Sequence, residues 1–275
     1  MRRDDDTLTP DFLVQRSMET GDAMKAMCFS KPLEYRVEIP REEMRQAEPV
    51  EGRLIVTNRD AAALSGLTFA VGLAQGDFKD VKAGKPDALD LLEQRILAEG
   101  VALKPGELAE YAFRFDLPPD FPVKTKDSGP FLLYGGNLET PASRGIIDLP
   151  VAPLAALESF IAALENNFSF KIRGLKFSKG FLEARYKAPG NYPTVEELVA
   201  ALRLDDQAAT LRFRVRLQTL ARGAAGGLKP RKREIERIVP RGEFLTPGGH
   251  PNRPLFRQVW QEVLNELTPG ALSNP

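Results

Sequence analysis

Thr210-Leu211-Arg212-Phe213-Arg214-Val215-Arg216-Leu217-Gln218-Thr219 alternates apolar and polar residues along its whole length. Leu211, Phe213, Val215 and Leu217 fall on one side of an extended chain and Arg212, Arg214, Arg216 and Gln218 on the other, because successive strand side chains point to opposite faces. A helix would scatter both sets around its circumference, so the segment reads as a strand with one face on a core and one in water. The same period recurs far upstream. Leu33, Tyr35, Val37 and Ile39 alternate with charges before Pro40, and Tyr111, Phe113, Phe115 and Leu117 alternate up to the Pro118-Pro119 break.

Between these anchors the chain is punctuated often. Residues 48–60 read as turn, strand and turn. Residues 67–74 read as a strand with small residues on its second face. Val101-Ala102-Leu103 feeds Lys104-Pro105-Gly106-Glu107, where Pro fixes φ at one central turn position and Gly accepts φ > 0 at the next. Residues 131–134 and 146–151 resume the apolar runs, and residues 168–186 carry three short strand patterns broken by Gly174 and Gly180.

Helical spacing is confined to four places. Leu154, Leu157, Phe160, Ile161 and Leu164 give an amphipathic helix over residues 153–166, with Pro153 in its first turn and Asn166-Asn167 as its stop. Leu255, Val259, Val263, Leu264 and Leu267 give a final helix over 254–267. Thr194-Val195-Glu196-Glu197 has a capping-box pattern and is expected to open a short helix to Leu202. Leu89, Leu92 and Ile96 suggest a short helix or an irregular excursion within 87–97. Residues 1–20 mix charges with isolated apolar residues and read as a mobile tail. The expected class is therefore mainly β: an N-terminal β-sandwich over 21–152, then a β-rich domain over 153–275 with a linking amphipathic helix and a C-terminal helix.

Composition excludes much chemistry. The 275 residues include one His (His250), one Cys (Cys28) and one Trp (Trp260). A Ser/His/Asp or Cys/His triad, a zinc site of Cys and His ligands, or a His-centred facial triad needs more imidazoles or thiols than this. A hydrophobic fraction of 43% and a charged fraction of 28% suit a chain that buries real cores. Lys plus Arg (38) balance Asp plus Glu (38), so binding to nucleic acid or an anionic membrane would need a local patch. A lone Cys forms no internal disulfide, no apolar run reaches membrane-spanning length, and the N-terminus has no secretory apolar stretch. The cytoplasm is the expected compartment.

A local basic patch does exist. Arg222, Lys229, Arg231, Lys232, Arg233, Arg237 and Arg241 stand against Glu234 and Glu236. Together with the outward Arg212, Arg214 and Arg216 they are candidates for a face that takes a protein partner or an anion. Nucleic acid ranks below these because interleaved aromatics are missing. The plainer account is a solvated strand edge kept soluble by charge. For His250 in Gly248-Gly249-His250-Pro251 and for Gly135-Gly136-Asn137, a loop role outweighs chemistry, because the partner residues that catalysis or phosphate binding needs are missing. Asp205-Asp206 and Glu42-Glu43 read as solvated turn ends rather than a metal or glycosidase pair, and Cys28 as a small hydrophobe.

Two stretches resemble a known family. Val50-Glu51-Gly52-Arg53-Leu54-Ile55-Val56-Thr57-Asn58, with Gly106-Glu107-Leu108-Ala109-Glu110-Tyr111-Ala112-Phe113-Arg114-Phe115-Asp116-Leu117-Pro118, resembles the strand logic of the arrestin-like fold. Residues 154–170, running into Ile172-Arg173 and the strand after Asp206, are similar to the second half of the bacterial sporulation-control relatives of arrestin. The resemblance spans about residues 30 to 220. It implies two β-sandwiches side by side, no cofactor, no reaction, and a scaffold or adaptor role toward other proteins, with self-association open. Departures at 77–100 and after Gly223 mean that neither a partner nor any individual functional residue carries over. A carboxylate-dependent hydrolase on a β-sandwich and a nucleic-acid-binding accessory protein stand as the alternatives.

Overall fold

A computed structural model describes residues 23–85, 87–220 and 228–267. The expected tail over 1–20 lies outside them, as does Arg222. In chain order the strands are β1 (Met24–Ser30), β2 (Leu33–Ile39), β3 (Met44–Arg45), β4 (Pro49–Asn58), β5 (Leu64–Asp77), β6 (Leu89–Leu103), β7 (Leu108–Asp116), β8 (Ser128–Gly135), β9 (Arg144–Asp148) and β10 (Val151–Ala152). They continue with β11 (Lys171–Ser178), β12 (Phe181–Lys187), β13 (Val195–Leu204), β14 (Ala208–Leu220) and β15 (Leu228–Pro240). The helices are α1 (Phe78–Lys82), α2 (Ala155–Phe168), α3 (Arg241–Phe244) and α4 (Arg253–Leu267). The chain resolves into two compact units. One takes in the described residues up to Met44, Pro49–Asp116 and Gly129–Pro150; the other takes in Arg45–Glu48, Leu117–Ser128 and the described residues from Val151 onward.

The first unit is a sandwich of two four-stranded sheets, ordered β1-β2-β4-β7 and β6-β5-β8-β9. Its core is built by the alternation read from the sequence: Leu33, Tyr35, Val37 and Ile39 of β2 are all buried, as are Phe113 and Phe115 of β7. Phe69 of β5 bridges the two sheets, edge-on to Tyr35 at 6.2 Å and tilted against Tyr111 at 5.5 Å. Gly52 sits where a Cβ would come within 2.6 Å of both the Glu38 carbonyl oxygen and Cζ of Phe113. The ring of the aromatic strand thus lies on bare backbone, which accounts for glycine in the Val50-Glu51-Gly52 pattern. At the turn after β6, the Glu107 amide donates to the Lys104 carbonyl at 3.0 Å and Gly106 has φ of 73°, a type II turn with glycine where φ must be positive.

One expectation is overturned here. Residues 89–103 form strand β6, and the short helix lies earlier, at Phe78–Lys82. The pairing of β5 with β6 shifts register four times, including between Phe69/Ala70 and Leu73/Ala74. Bulges insert extra residues into the two-residue period, so Leu89, Leu92 and Ile96 mimic helical spacing. A buried helix face would have hidden them, yet Leu92 is 45% and Ile96 55% exposed.

The second unit is a five-stranded antiparallel sheet, β11-β12-β13-β14-β15, with α2 and α4 against one face. Phe160 of α2 stacks on Trp260 of α4 at 5.0 Å, and Trp260 meets Phe213 of β14 edge-on at the same distance. The indole N–H donates to the Phe160 carbonyl at 2.9 Å, satisfying its one polar atom in a buried site. Helix α2 runs to Phe168 and ends at Ser169, whose φ of 59° places it in the left-handed region.

The capping-box expectation fails in this unit. Residues 195–204 are strand β13, the centre of the sheet, paired with both β12 and β14. Val195, Leu198, Val199, Ala200, Ala201, Leu202 and Leu204 are all buried, a nearly continuous apolar run with its inward residues under the helices and Val199 and Ala201 sunk between long flanking side chains on the other face. The Thr194 carbonyl accepts the Gln218 amide at 2.8 Å, so its backbone is engaged across the sheet. Tertiary pairing here outweighs a local cap worth about 1 kcal/mol.

Candidate functional site

The face of the second sheet away from the helices is a lattice of charge. Register fixes it. Lys176, Glu183, Ala201, Arg212 and Glu236 stand in one row across β11 to β15. The next row is Arg185, Val199, Arg214 and Glu234, and the third is Glu197, Arg216 and Lys232. Val199 floors a shallow depression of about 250 Å³ beside Arg185, Glu197 and Lys232, and Ala201, at the sheet's centre, leaves a larger trough between taller flanking side chains. Its volume is about 620 Å³, with Phe181, Ala201, Arg212, Arg214, Glu183 and Glu236 among its lining residues. The Phe181 ring forms its apolar wall, held by the guanidinium groups of Arg212 at 4.5 Å and Arg203 at 5.1 Å from the centroid.

The arginines of β14 have acidic partners. Arg212 Nε lies 2.7 Å from Glu236, Arg214 Nε 3.7 Å from Glu234, and Arg216 3.7 Å from Glu196. All six side chains remain substantially exposed, so each pair contributes about 0–1 kcal/mol.

The remaining basic candidates are divided by the pleat of β15. Lys232 is on the outer face beside Arg216. Arg231 and Arg233 stand opposite Leu217 and Val215, residues of the helix-facing side. Arg233 donates to the last carbonyls of α4, Glu266 at 3.2 Å and Leu267 at 3.4 Å, and Arg237 ion-pairs with Glu266. Lys229 pairs through its backbone with Thr219, and its side chain lies outside the described residues. Arg212, Arg214, Arg216 and Lys232 are therefore brought together, while Arg233 serves as a helix C-cap. Phe181, Arg203 and the trough floor are not legible as site residues, because Ala201 falls within the segment whose capping pattern suggests a helix and nothing local links Phe181 to Arg212.

Other singled-out residues have structural settings. His250 is exposed in the loop before α4, with its amide 3.3 Å from Thr246 Oγ1. Asp205 accepts the Gln207 and Ala208 amides, both at 2.9 Å, which lowers its carboxyl below the usual range, as a turn cap does. Burial pushes the Cys28 thiol up to about 12, with a hydrogen bond from Tyr134 opposing the rise. Among the described residues no three or more His, Cys, Asp or Glu side chains gather to hold a metal ion, and no helix is long and apolar enough to cross a membrane.

The mainly β chain, with a sandwich of two four-stranded sheets and a second compact β-rich unit, has a fold of the arrestin-like type. Within that class, the crystal structure of Spo0M, a sporulation control protein from Bacillus subtilis, is similar to this chain with a TM-score of 0.63. It is 14% identical, and the match covers 86% of this chain and 99% of that one. A β-glucosidase from Listeria innocua matches only in part, at a TM-score of 0.26 and 14% identity over 43% of this chain and 16% of its own. No protein-family model and no curated protein matches the sequence.

Proposed function

We propose that this chain is a regulatory arrestin-like protein, a non-enzymatic scaffold or adaptor of the cytoplasm, that binds another protein on the outer face of its second sheet. The observation that carries the reading is the trough over Ala201, walled by Phe181 and rimmed by exposed Arg–Glu pairs. Small residues at the centre of a sheet face let a partner segment approach the backbone plane, and a ring held by two guanidinium groups offers a rigid apolar contact. The rim pairs are weak at the surface, so a partner carrying both charge signs exchanges them at little net cost and is oriented by their pattern. A phosphate backbone gains less, since Arg212, Arg214 and Arg216 already face carboxylates. A protein of the same fold carries the description of a sporulation control protein, which agrees with a regulatory role.

Affinity capture followed by mass spectrometry tests this with two variants. Ala201→Trp fills the trough, and the double reversal Arg212→Glu, Arg214→Glu inverts its rim. The same prey should be lost from both while the circular dichroism of the chain is unchanged. Recovery of every wild-type prey with both variants would sink the reading.

A further inference from the structure

We propose that β6 is a pairing edge for a second copy of this chain, which joins it as an antiparallel strand about a two-fold axis at Gln94. This rests on the first sandwich and is independent of the trough.

Strand β6 is 15 residues long and ends its sheet, with β5 on one side only. Every residue from Asp90 to Ile96 is exposed, including Leu91 at 47%, Leu92 at 45% and Ile96 at 55%. The partner strand is the opposite case: Phe69, Ala70, Val71, Leu73 and Ala74 of β5 are at most 2% exposed. An edge strand of this length normally carries charge or proline against association. Here Asp90, Glu93, Arg95 and Glu99 are interleaved with three large apolar side chains along unpaired backbone, so the edge pairs only where its charges are matched, as at a strand-addition site.

The segment Leu91-Leu92-Glu93-Gln94-Arg95-Ile96-Leu97 is complementary to its own reverse. With Gln94 on the axis, Glu93 stands opposite Arg95 of the second copy, Leu92 opposite Ile96, and Leu91 opposite Leu97. Two-fold symmetry makes each of these contacts twice. Directly opposed residues of opposite charge, and apolar residues facing each other, are the pairs that stabilise an antiparallel ladder. In the single chain Arg95 satisfies itself locally, 2.9 Å from Glu93 on the same strand and over the Phe115 ring at 4.9 Å. The side chain is thereby already held beside the carboxylate that its symmetry mate would share. A different register loses the match: moving the axis by one residue sets Arg95 against leucine or against its own copy.

The full chain is examined by sedimentation equilibrium. Wild type is expected to self-associate, and Arg95→Glu, which sets four carboxylates along the axis, to weaken association about tenfold or more. Glu93→Arg combined with Arg95→Glu restores the pairing and should recover wild-type association. In a Cys28→Ser background, Gln94→Cys places a thiol on the axis and should give a disulfide-linked dimer under oxidation, whereas Asp60→Cys, in the loop beside the far end of β6 at Leu103, should not. A wild-type chain that stays monomeric at every concentration reached, or a dimer indifferent to Arg95→Glu, overturns the proposal. So does equal crosslinking by the two cysteine variants.

Discussion

Gly52 illustrates how much a single missing side chain decides. A methyl group there meets a backbone carbonyl and an aromatic ring at 2.6 Å, neither of which moves without disturbing β2 or β7. Gly52→Ala should therefore destabilise the chain by about 1–3 kcal/mol, the ordinary cost of overpacking, with the loss read from a denaturant midpoint. The half-buried Cys28 and the buried Tyr35 and Tyr134 set a second expectation. Burial pushes the Cys28 thiol from 9.0 to about 12 and the Tyr35 hydroxyl from 10.0 to about 12, and it raises Tyr134 as well. These groups keep their protons in the folded chain at a pH where the unfolded chain has lost them. Their contribution is complete below 9 and is lost as pH climbs toward 12. The denaturation midpoint should fall between about pH 9 and pH 12, and Cys28→Ser should flatten part of that fall. A midpoint level across this range would contradict the assignment.

At the level of elements, what the sequence revealed depended on how regular each strand is. β2, β7 and β14 alternate cleanly and were legible to within three residues, as were α2 and α4 from their spacing. β6 was not, because its bulged pairing with β5 breaks the period that sequence reading relies on. β13 was not, because its outer face carries the apolar Val199 and Ala201 and so shows no alternation, and a chance Thr-x-x-Glu supplied a false helix start. The charged rows of the second sheet were half legible. The arginines of β14 were evident, but their pairing with Glu234 and Glu236 exists only through the register with β15. That register also explains why Arg233 differs from its neighbours. Arg233→Ala should cost about 0.3–1 kcal/mol by uncapping α4, seen as faster amide exchange at the helix's last turn, and should leave prey capture unchanged.

For the molecule as a whole, the chain passes repeatedly from one unit to the other, so residues distant in sequence belong to one core. Gln46 is the clearest case. Its side chain is 2% exposed, donates to the Phe121 carbonyl and accepts the Leu154 amide at 3.0 Å, tying three segments of the second unit together. No periodicity in the sequence signals this, since it is a single polar residue in a short link. Gln46→Ala leaves a buried acceptor unmatched and should destabilise the second unit by about 1–3 kcal/mol. A chain beginning at residue 153 lacks both Gln46 and Phe121 and should show a broader melting transition than the full chain.

The placement of Trp260 has an optical consequence. The chain's one tryptophan is wholly buried within the aromatic cluster of the second unit. Its emission on excitation at the red edge of the indole band therefore records the loosening of that unit alone, and the melting of the sandwich passes unseen by it. Tyr35, Tyr111 and Tyr134 all lie in the sandwich. Tyr186 and Tyr192 lie in the second unit with Trp260, so the part of a near-ultraviolet tyrosine signal that does not follow the indole emission reports the sandwich without a label.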